Sequence, residues 1–240
     1  MEPRYSHAVG RLGMGLGVCA VVSASAAAIA YAAPSPLALR SSIVAAIRAQ
    51  HSLHYISTGR DVDRRWKVIG DIGRVRGVQQ LTIRERGAGV ERETVVVVPG
   101  TAYLRGNRAA LHDHYNYSAA QSSRYANRWI SIPRGQFAFR EVAGDVTLPF
   151  FLADYMPRGR LSVVRGDVDG RKAVGLHTDT GLFKFTVYVR SVVRPLPIAV
   201  TSVQYEGASS KGQFNLGPWN RHLRVRAPSH AVPVAKVLNS

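Results

Sequence analysis

From His54 onward the chain is a series of short apolar-polar alternations cut by glycine and proline, and no other feature constrains its fold as much. His54 to Thr58, Arg65 to Ile69, Val75 to Arg86, Val90 to Val98 and Thr101 to Arg105 read as strands, with Gly70, Gly73, Gly87-Ala88-Gly89 and Pro99-Gly100 as turn punctuation. Leu81 and Ile83 alternate with Gln80, Thr82 and Arg84, which makes one dry face and one wet face, as antiparallel hairpins require. A second series covers Arg160 to Arg165, Lys172 to Thr178, Leu182 to Arg190, Pro197 to Tyr205 and Gly212 to Leu216. Asp167-Val168-Asp169-Gly170 and Thr180-Gly181 sit where its tight turns belong. About ten antiparallel strands rarely stay flat, so the sheet is expected to curl around something or to close into a barrel.

Helical patterns supply what it curls around. Leu37, Ile43, Val44 and Ile47 recur at helical spacing through Gln50, with Arg40, Ser41, Ser42 and Arg48 on other faces. The stretch Ala102 to Pro133 interrupts the strands with two short helix-like pieces, Ala109 to Tyr115 and Ser118 to Tyr125, and returns through a strand at Arg128 to Ile132. This excursion is expected to flank the mouth of the curled sheet as a lid. Leu148, Phe150, Phe151, Leu152, Tyr155 and Met156 form a dense apolar cluster, a helical turn or two ended by Pro157. The expected class is α+β: a curled antiparallel sheet, a half-open β-barrel of about ten strands, wrapped over an N-terminal helix and short central helices.

The N-terminus reads as an address. Arg4 and Arg11 precede Leu12 to Ala33, a run without charge that is rich in Ala, Gly and Ser and ends in small-x-small sites after Ala30 or Ala32. The division is therefore 1–33 as signal peptide or N-terminal anchor and 34–240 as one folded domain. A cleaved signal peptide is favoured over an uncleaved anchor, and lipidation at Cys19 is third, because Val18 is not the small residue a lipoprotein box wants before its cysteine. The expected location is the cell envelope or beyond it. Cys19 is the single cysteine, so an intramolecular disulfide is excluded and the core must hold the fold.

The formal net charge is +17. Residues 1–33 hold only Arg4, Arg11 and Glu2, so the basic excess belongs to the folded part. Five of the basic residues are lysines and the rest arginines, spread along the chain and interleaved with acids, as in Arg60-Asp61-Val62-Asp63-Arg64-Arg65. Dispersed charge favours a solvated basic surface over a nucleic-acid stripe, and no nucleic-acid partner is expected.

Reactive patterns are thin. His112-Asp113-His114 has metal-ligand types, but alternate residues of a helix diverge by about 200° and no third ligand is placed. Asp167-Val168-Asp169-Gly170 lacks the later acid of a calcium loop. Asn116-Tyr117-Ser118 matches a glycosylation acceptor pattern, a short motif that by itself assigns no function. No serine sits in a nucleophile elbow. No metal, cofactor or enzymatic activity is expected.

Several pieces resemble a known family: Tyr103-Leu104-Arg105-Gly106, Trp129-Ile130-Ser131-Ile132-Pro133, Val168-Asp169-Gly170-Arg171-Lys172-Ala173-Val174, Phe214-Asn215-Leu216-Gly217 and Val225-Arg226-Ala227-Pro228. Their order resembles the LolA/LolB-like superfamily of periplasmic carriers and, within it, the LppX/LprAFG-type lipoproteins of actinobacteria. The resemblance implies a half-open barrel draped over helices, a cavity for acyl chains of lipids or lipoproteins, and no catalytic residues.

The expected function is thus an exported, non-enzymatic, monomeric carrier or acceptor of hydrophobic ligands, with the membrane surface as a further partner. The alternative is an envelope sensor or interaction domain that binds a protein or an anionic polymer. Expected cavity residues are Ile43, Ile47, Leu81, Ile83, Tyr103, Trp129, Leu148, Phe150, Phe151, Phe183, Phe185 and Val187, and Arg84, Arg86 and Arg105 are the expected contacts for an anionic headgroup.

Overall fold

Ser35 opens the first helix, α1 (Pro36–Arg48), in extended conformation, and its hydroxyl accepts from the Ala38 amide while Pro36 takes the first helical position. Leu39, Ile43 and Ile47, four residues apart, are the stripe that α1 buries. Leu37 lies outside it and is 69% exposed, because two residues of helix turn it about 200° away from Leu39.

The computed structural model describes residues 34–205 and 209–240, all within the unit Pro34–Ser240, with Asp145 described by its backbone only. The leader or anchor read in 1–33, Cys19 included, lies outside the described residues.

Five strands follow α1 as hairpins: β1 (Ser52–Arg60), β2 (Arg64–Gly73), β3 (Gly77–Glu85), β4 (Val90–Val98) and β5 (Thr101–Gly106). A single π-helical turn (Ala110–His114) and α2 (Ala119–Tyr125) then lead to β6 (Ile130–Pro133). Next come α3 (Ala138–Ala143), a short 3-10 turn (Gly144–Val146) and α4 (Leu148–Tyr155). The second series is β7 (Leu161–Val168), β8 (Arg171–Asp179), β9 (Phe183–Val189), β10 (Pro197–Gln204) and β11 (Ser210–Trp219), and the chain closes with β12 (Val232–Pro233) and α5 (Val234–Leu238).

All twelve strands form one sheet in the order β12-β6-β5-β4-β3-β2-β1-β11-β10-β9-β8-β7. Every pairing is antiparallel except the short parallel contact of β12 with β6. β1 lies mid-sheet and joins the two series, pairing with β2 on one side and β11 on the other. The terminal strands β12 and β7 do not pair with each other, so the sheet curls without closing. The α+β half-open architecture expected from the alternations is the one observed, with β12, α3 and α5 beyond the elements read from the sequence.

The turns follow local chemistry. Asp169 and Gly170 both have positive φ, 52° and 74°, the two-residue loop that matches the twist of a hairpin, and it joins β7 to β8 at Val168 and Arg171. Gly70, read as a turn, is instead inside β2, where a Cβ would lie 2.2 Å from Cε1 of Tyr55. The missing side chain makes room for that ring. Val75, read as strand, is exposed in the β2–β3 connection.

The concave face carries the core. Leu53 and Tyr55 of β1, Ile72 of β2, Val95 and Val97 of β4, Ala102 and Leu104 of β5, Leu176 of β8 and Phe185 and Val187 of β9 form one buried cluster with the α1 stripe and with Leu148 and Phe151 of α4. Tyr55 lies 6.1 Å from Phe151 and 5.9 Å from Phe214, while Tyr155 lies 4.8 Å from Phe151 and 4.5 Å from Phe214, ring centroid to centroid. Aromatic rings from β1, β11 and α4 thus meet inside the curl.

Candidate functional site

Helix α1 has a second stripe, one residue along from the buried one: Arg40, Val44 and Arg48. On α4, Leu148 and Leu152 share a line, with Pro149 and Ala153 beside them. These faces border a cleft of about 610 Å³, completed by Ile47, Gln50, Arg74, Met156 and Arg158. That volume lies within the usual range of small-molecule sites. Val44, Ile47, Leu148, Leu152, Ala153 and Met156 make its floor apolar, and Arg40, Arg48, Arg74 and Arg158 surround it.

The sheet places α4. The carbonyl of Val146 lies 2.1 Å from where a Cβ of Gly77 would be, and Thr147, the cap residue of α4, bridges to Gly73. Glycines at the β2–β3 connection thereby let the turn before α4 sit directly on the sheet. The arginines are tethered at helix ends. Arg40 Nε donates to the Pro157 carbonyl at 3.1 Å, Arg74 donates to the Gln50 and Arg48 carbonyls at 3.1 and 3.2 Å, and Arg158 donates to the Ala153 carbonyl.

Of the expected cavity residues, only Ile47 and Leu148 line this cleft. Ile43, Phe151, Phe185 and Val187 belong to the packed cluster, at 0%, 2%, 5% and 1% exposure. Leu81 and Ile83 are half-buried on the concave side of β3, opposite Glu93 and Glu91 of β4. Phe150 is half-buried on α4, and Phe183 is exposed at the start of β9. Tyr103 alternates with the buried Ala102 and Leu104 and so points to the convex side, where the Arg105 guanidinium lies 6.0 Å from the Trp129 ring centroid. Period-two spacing separates two faces without saying which one is buried, and Tyr103 falls on the convex one.

The expected headgroup arginines are also elsewhere. Arg84 is on the convex face, Arg86 lies 3.9 Å from Asp63 at a hairpin, and Arg105 covers Trp129. The π-helical turn and α2 pack against β4 and α5, with Tyr125 and Ser122 buried, and contribute no residue to the cleft. The excursion is not its lid. The missed residues had one signal in the sequence: Arg40, Val44 and Arg48 flank the apolar stripe of α1, the position where a helix meets both core and solvent.

Two further features stand out. His112 Nδ1 is 2.6 Å from Asp113 Oδ1, and His114 packs edge-on to Tyr115. The Tyr115 hydroxyl donates to Glu93, whose buried Oε2 has no hydrogen-bond partner among the described residues. Burial is the main cause that raises the Glu93 carboxyl above the ordinary carboxylate value, and burial beside Glu93 pushes the Tyr115 hydroxyl well up. A raised carboxyl keeps its proton in the folded state after the unfolded chain has lost it. Stability is therefore full below the ordinary carboxylate value and is lost as pH rises through the folded one. Glu93→Gln is expected to raise the neutral-pH melting temperature and to flatten that decline. A pH series of thermal melts on both proteins checks this, and an unchanged slope would count against it.

Charge that is dispersed in sequence converges on the convex side. Lys211, Arg60, Arg65 and Arg84 face one another across β11, β1, β2 and β3, and none of the four has an ion pair among the described residues. Like charges directly opposite cost stability, so the row needs a reason other than folding.

No family model matches the chain. No curated protein matches it either. Solved structures of similar fold include the lipoprotein LppX of Mycobacterium tuberculosis, at 11% identity and TM-score 0.45, covering 80% of this chain and 98% of that one. The MucA/MucB complex of Pseudomonas aeruginosa is similar at 18% identity and TM-score 0.39, covering 81% and 61%. A LolA superfamily protein of Nitrosomonas europaea is similar at 11% identity and TM-score 0.30, covering 80% and 96%. Two of the three bear the names of the resemblance read from the sequence. Identities and TM-scores this low carry no ligand or role across. Among the described residues, no helix is long and apolar enough to cross a membrane.

Proposed function

We propose that this chain is an exported, non-enzymatic carrier or acceptor of hydrophobic ligands in the cell envelope, with the α1–α4 cleft as its binding site. The observation that carries the reading is the cleft of about 610 Å³ with an apolar floor of Val44, Ile47, Leu148, Leu152, Ala153 and Met156. Acyl methylenes entering such a space leave water at a gain of about 0.8 kcal/mol each, which is enough to retain a chain without any covalent chemistry. Export rests on the leader-like pattern of residues 1–33.

Ala153 is exposed and lines the cleft, so a large side chain there fills the site without entering the core. Protein purified without detergent is expected to yield acyl lipid on solvent extraction and mass spectrometry, and to bind a pyrene-labelled alkanol. Ala153→Trp is expected to lower both at least about tenfold, a loss of ~1.4 kcal/mol, with an unchanged melting temperature. Absence of lipid and of probe binding in the parent protein would end the carrier reading.

The convex cationic row favours a second reading, an envelope domain that binds an anionic polymer. Salt-sensitive polymer binding in a protein that takes up no probe would select it.

A further inference from the structure

The four arginines around the cleft exceed what the fold requires of them. Helix α1 carries no acidic residue, α4 carries only Asp154, and Asp154 does not line the cleft. Among the described residues, none of Arg40, Arg48, Arg74 and Arg158 has a carboxylate within ion-pair distance. The seven ion pairs present involve other cations.

A structural role accounts for part of this. Arg48 is in the last turn of α1, Arg74 donates to carbonyls at and just beyond that end, and Arg158 donates to a carbonyl in the last turn of α4. Basic residues complement the negative end of a helix dipole. The magnitudes do not balance, however. Two helix C-termini present roughly half an elementary charge each, so among the described side chains four guanidiniums leave an excess of about three positive charges at one cleft. Arg40 and Arg158 each commit one nitrogen to a carbonyl, and the other donors of each fork stay available for a bidentate anion.

We propose that the cleft selects anionic amphiphiles, with the acyl chain on Val44, Ile47, Leu148, Leu152 and Met156 and the acidic headgroup between Arg40 and Arg158, supported by Arg48 and Arg74. This rests on the carrier reading and adds the chemical class of the ligand. A carboxylate, sulfate or phosphate headgroup would suit the fork geometry of the guanidiniums, and a neutral glyceride or wax would leave the arginines unused.

The test is competition of palmitate, hexadecyl sulfate and hexadecanol for the pyrene-labelled alkanol on the full chain, below micellar concentrations and at low salt. The two anions are expected to displace the probe at least about tenfold more effectively than the alcohol. The difference should shrink at high salt, because the rim is exposed. Arg40→Gln/Arg158→Gln is expected to abolish the anion preference while hexadecanol affinity stays within about twofold, and Arg40→Lys/Arg158→Lys is expected to restore part of it. Circular dichroism and melting temperature establish that both variants fold. Equal displacement by palmitate and hexadecanol would overturn the anion selectivity and leave the carrier reading standing. Failure of all three to bind would overturn both.

Discussion

Phe151→Ala is expected to destabilise the protein by about 3–5 kcal/mol, the range for removing a large aromatic side chain from a packed interior. Phe151 is 2% exposed and packs against Tyr55 of β1 and Tyr155 of α4, so its ring is where α4 is bonded to the sheet. Urea unfolding should show a lower midpoint with an unchanged slope, since the surface exposed on unfolding is nearly the same. Phe150, the next residue, is half-buried and should cost less than half as much when replaced. The contrast also separates core from cavity. If Phe151 lined a ligand space, Ala would be tolerated at a cost below about 1 kcal/mol and would alter probe affinity instead.

The second large effect is expected at Gly77. A methyl group there would meet the Val146 carbonyl at 2.1 Å and the Ile72 Cα at 3.2 Å, and backbone atoms cannot rotate aside as a side-chain end can. Gly77→Ala must push the turn before α4 off the sheet, at a cost of about 1–3 kcal/mol for overpacking. Because that turn and the Thr147–Gly73 bridge place α4, the cleft should open as well and affinity for the pyrene-labelled alkanol should fall. Gly135→Ala is the control, since nothing lies within 4 Å of its would-be Cβ, and it should shift stability by no more than about 0.5 kcal/mol. A Gly77→Ala protein as stable as the Gly135→Ala control would show that α4 is held by something else.

The two variants act on the same joint from opposite sides. Phe151 holds α4 by apolar packing, and Gly77 holds it by the absence of a side chain. The cleft depends on both, so a site for hydrophobic ligands here is a product of how closely one short helix can approach one hairpin. Its arginines enter from a different cause: the C-terminal ends of α1 and α4 lie at the cleft, and each draws basic side chains to its carbonyls.

Much of the fold was legible because its signals are local. Leu81 and Ile83 against Gln80 and Thr82, Asp169-Gly170 between β7 and β8, and the helical spacing of Ile43, Val44 and Ile47 each state their element within a few residues. Where reading failed, the deciding partner was distant. Gly70 looks like a turn until Tyr55 is placed over it, and Tyr103 looks like a cavity residue until β5 is paired and its alternation assigned to the convex side. Leu37 joins an apolar list but faces water, since membership of a stripe depends on angle as well as hydrophobicity.

The sequence by itself determined a curled antiparallel sheet of about ten strands, the opening amphipathic helix and the basic surplus, because periodicity, turn chemistry and charge are properties of neighbouring residues. Only the tertiary structure decided where the apolar cleft lies and which arginines surround it. Arg40 and Arg158 are far apart in the chain and border one cleft because α4 is seated against the sheet beside α1. No local signal encodes that arrangement.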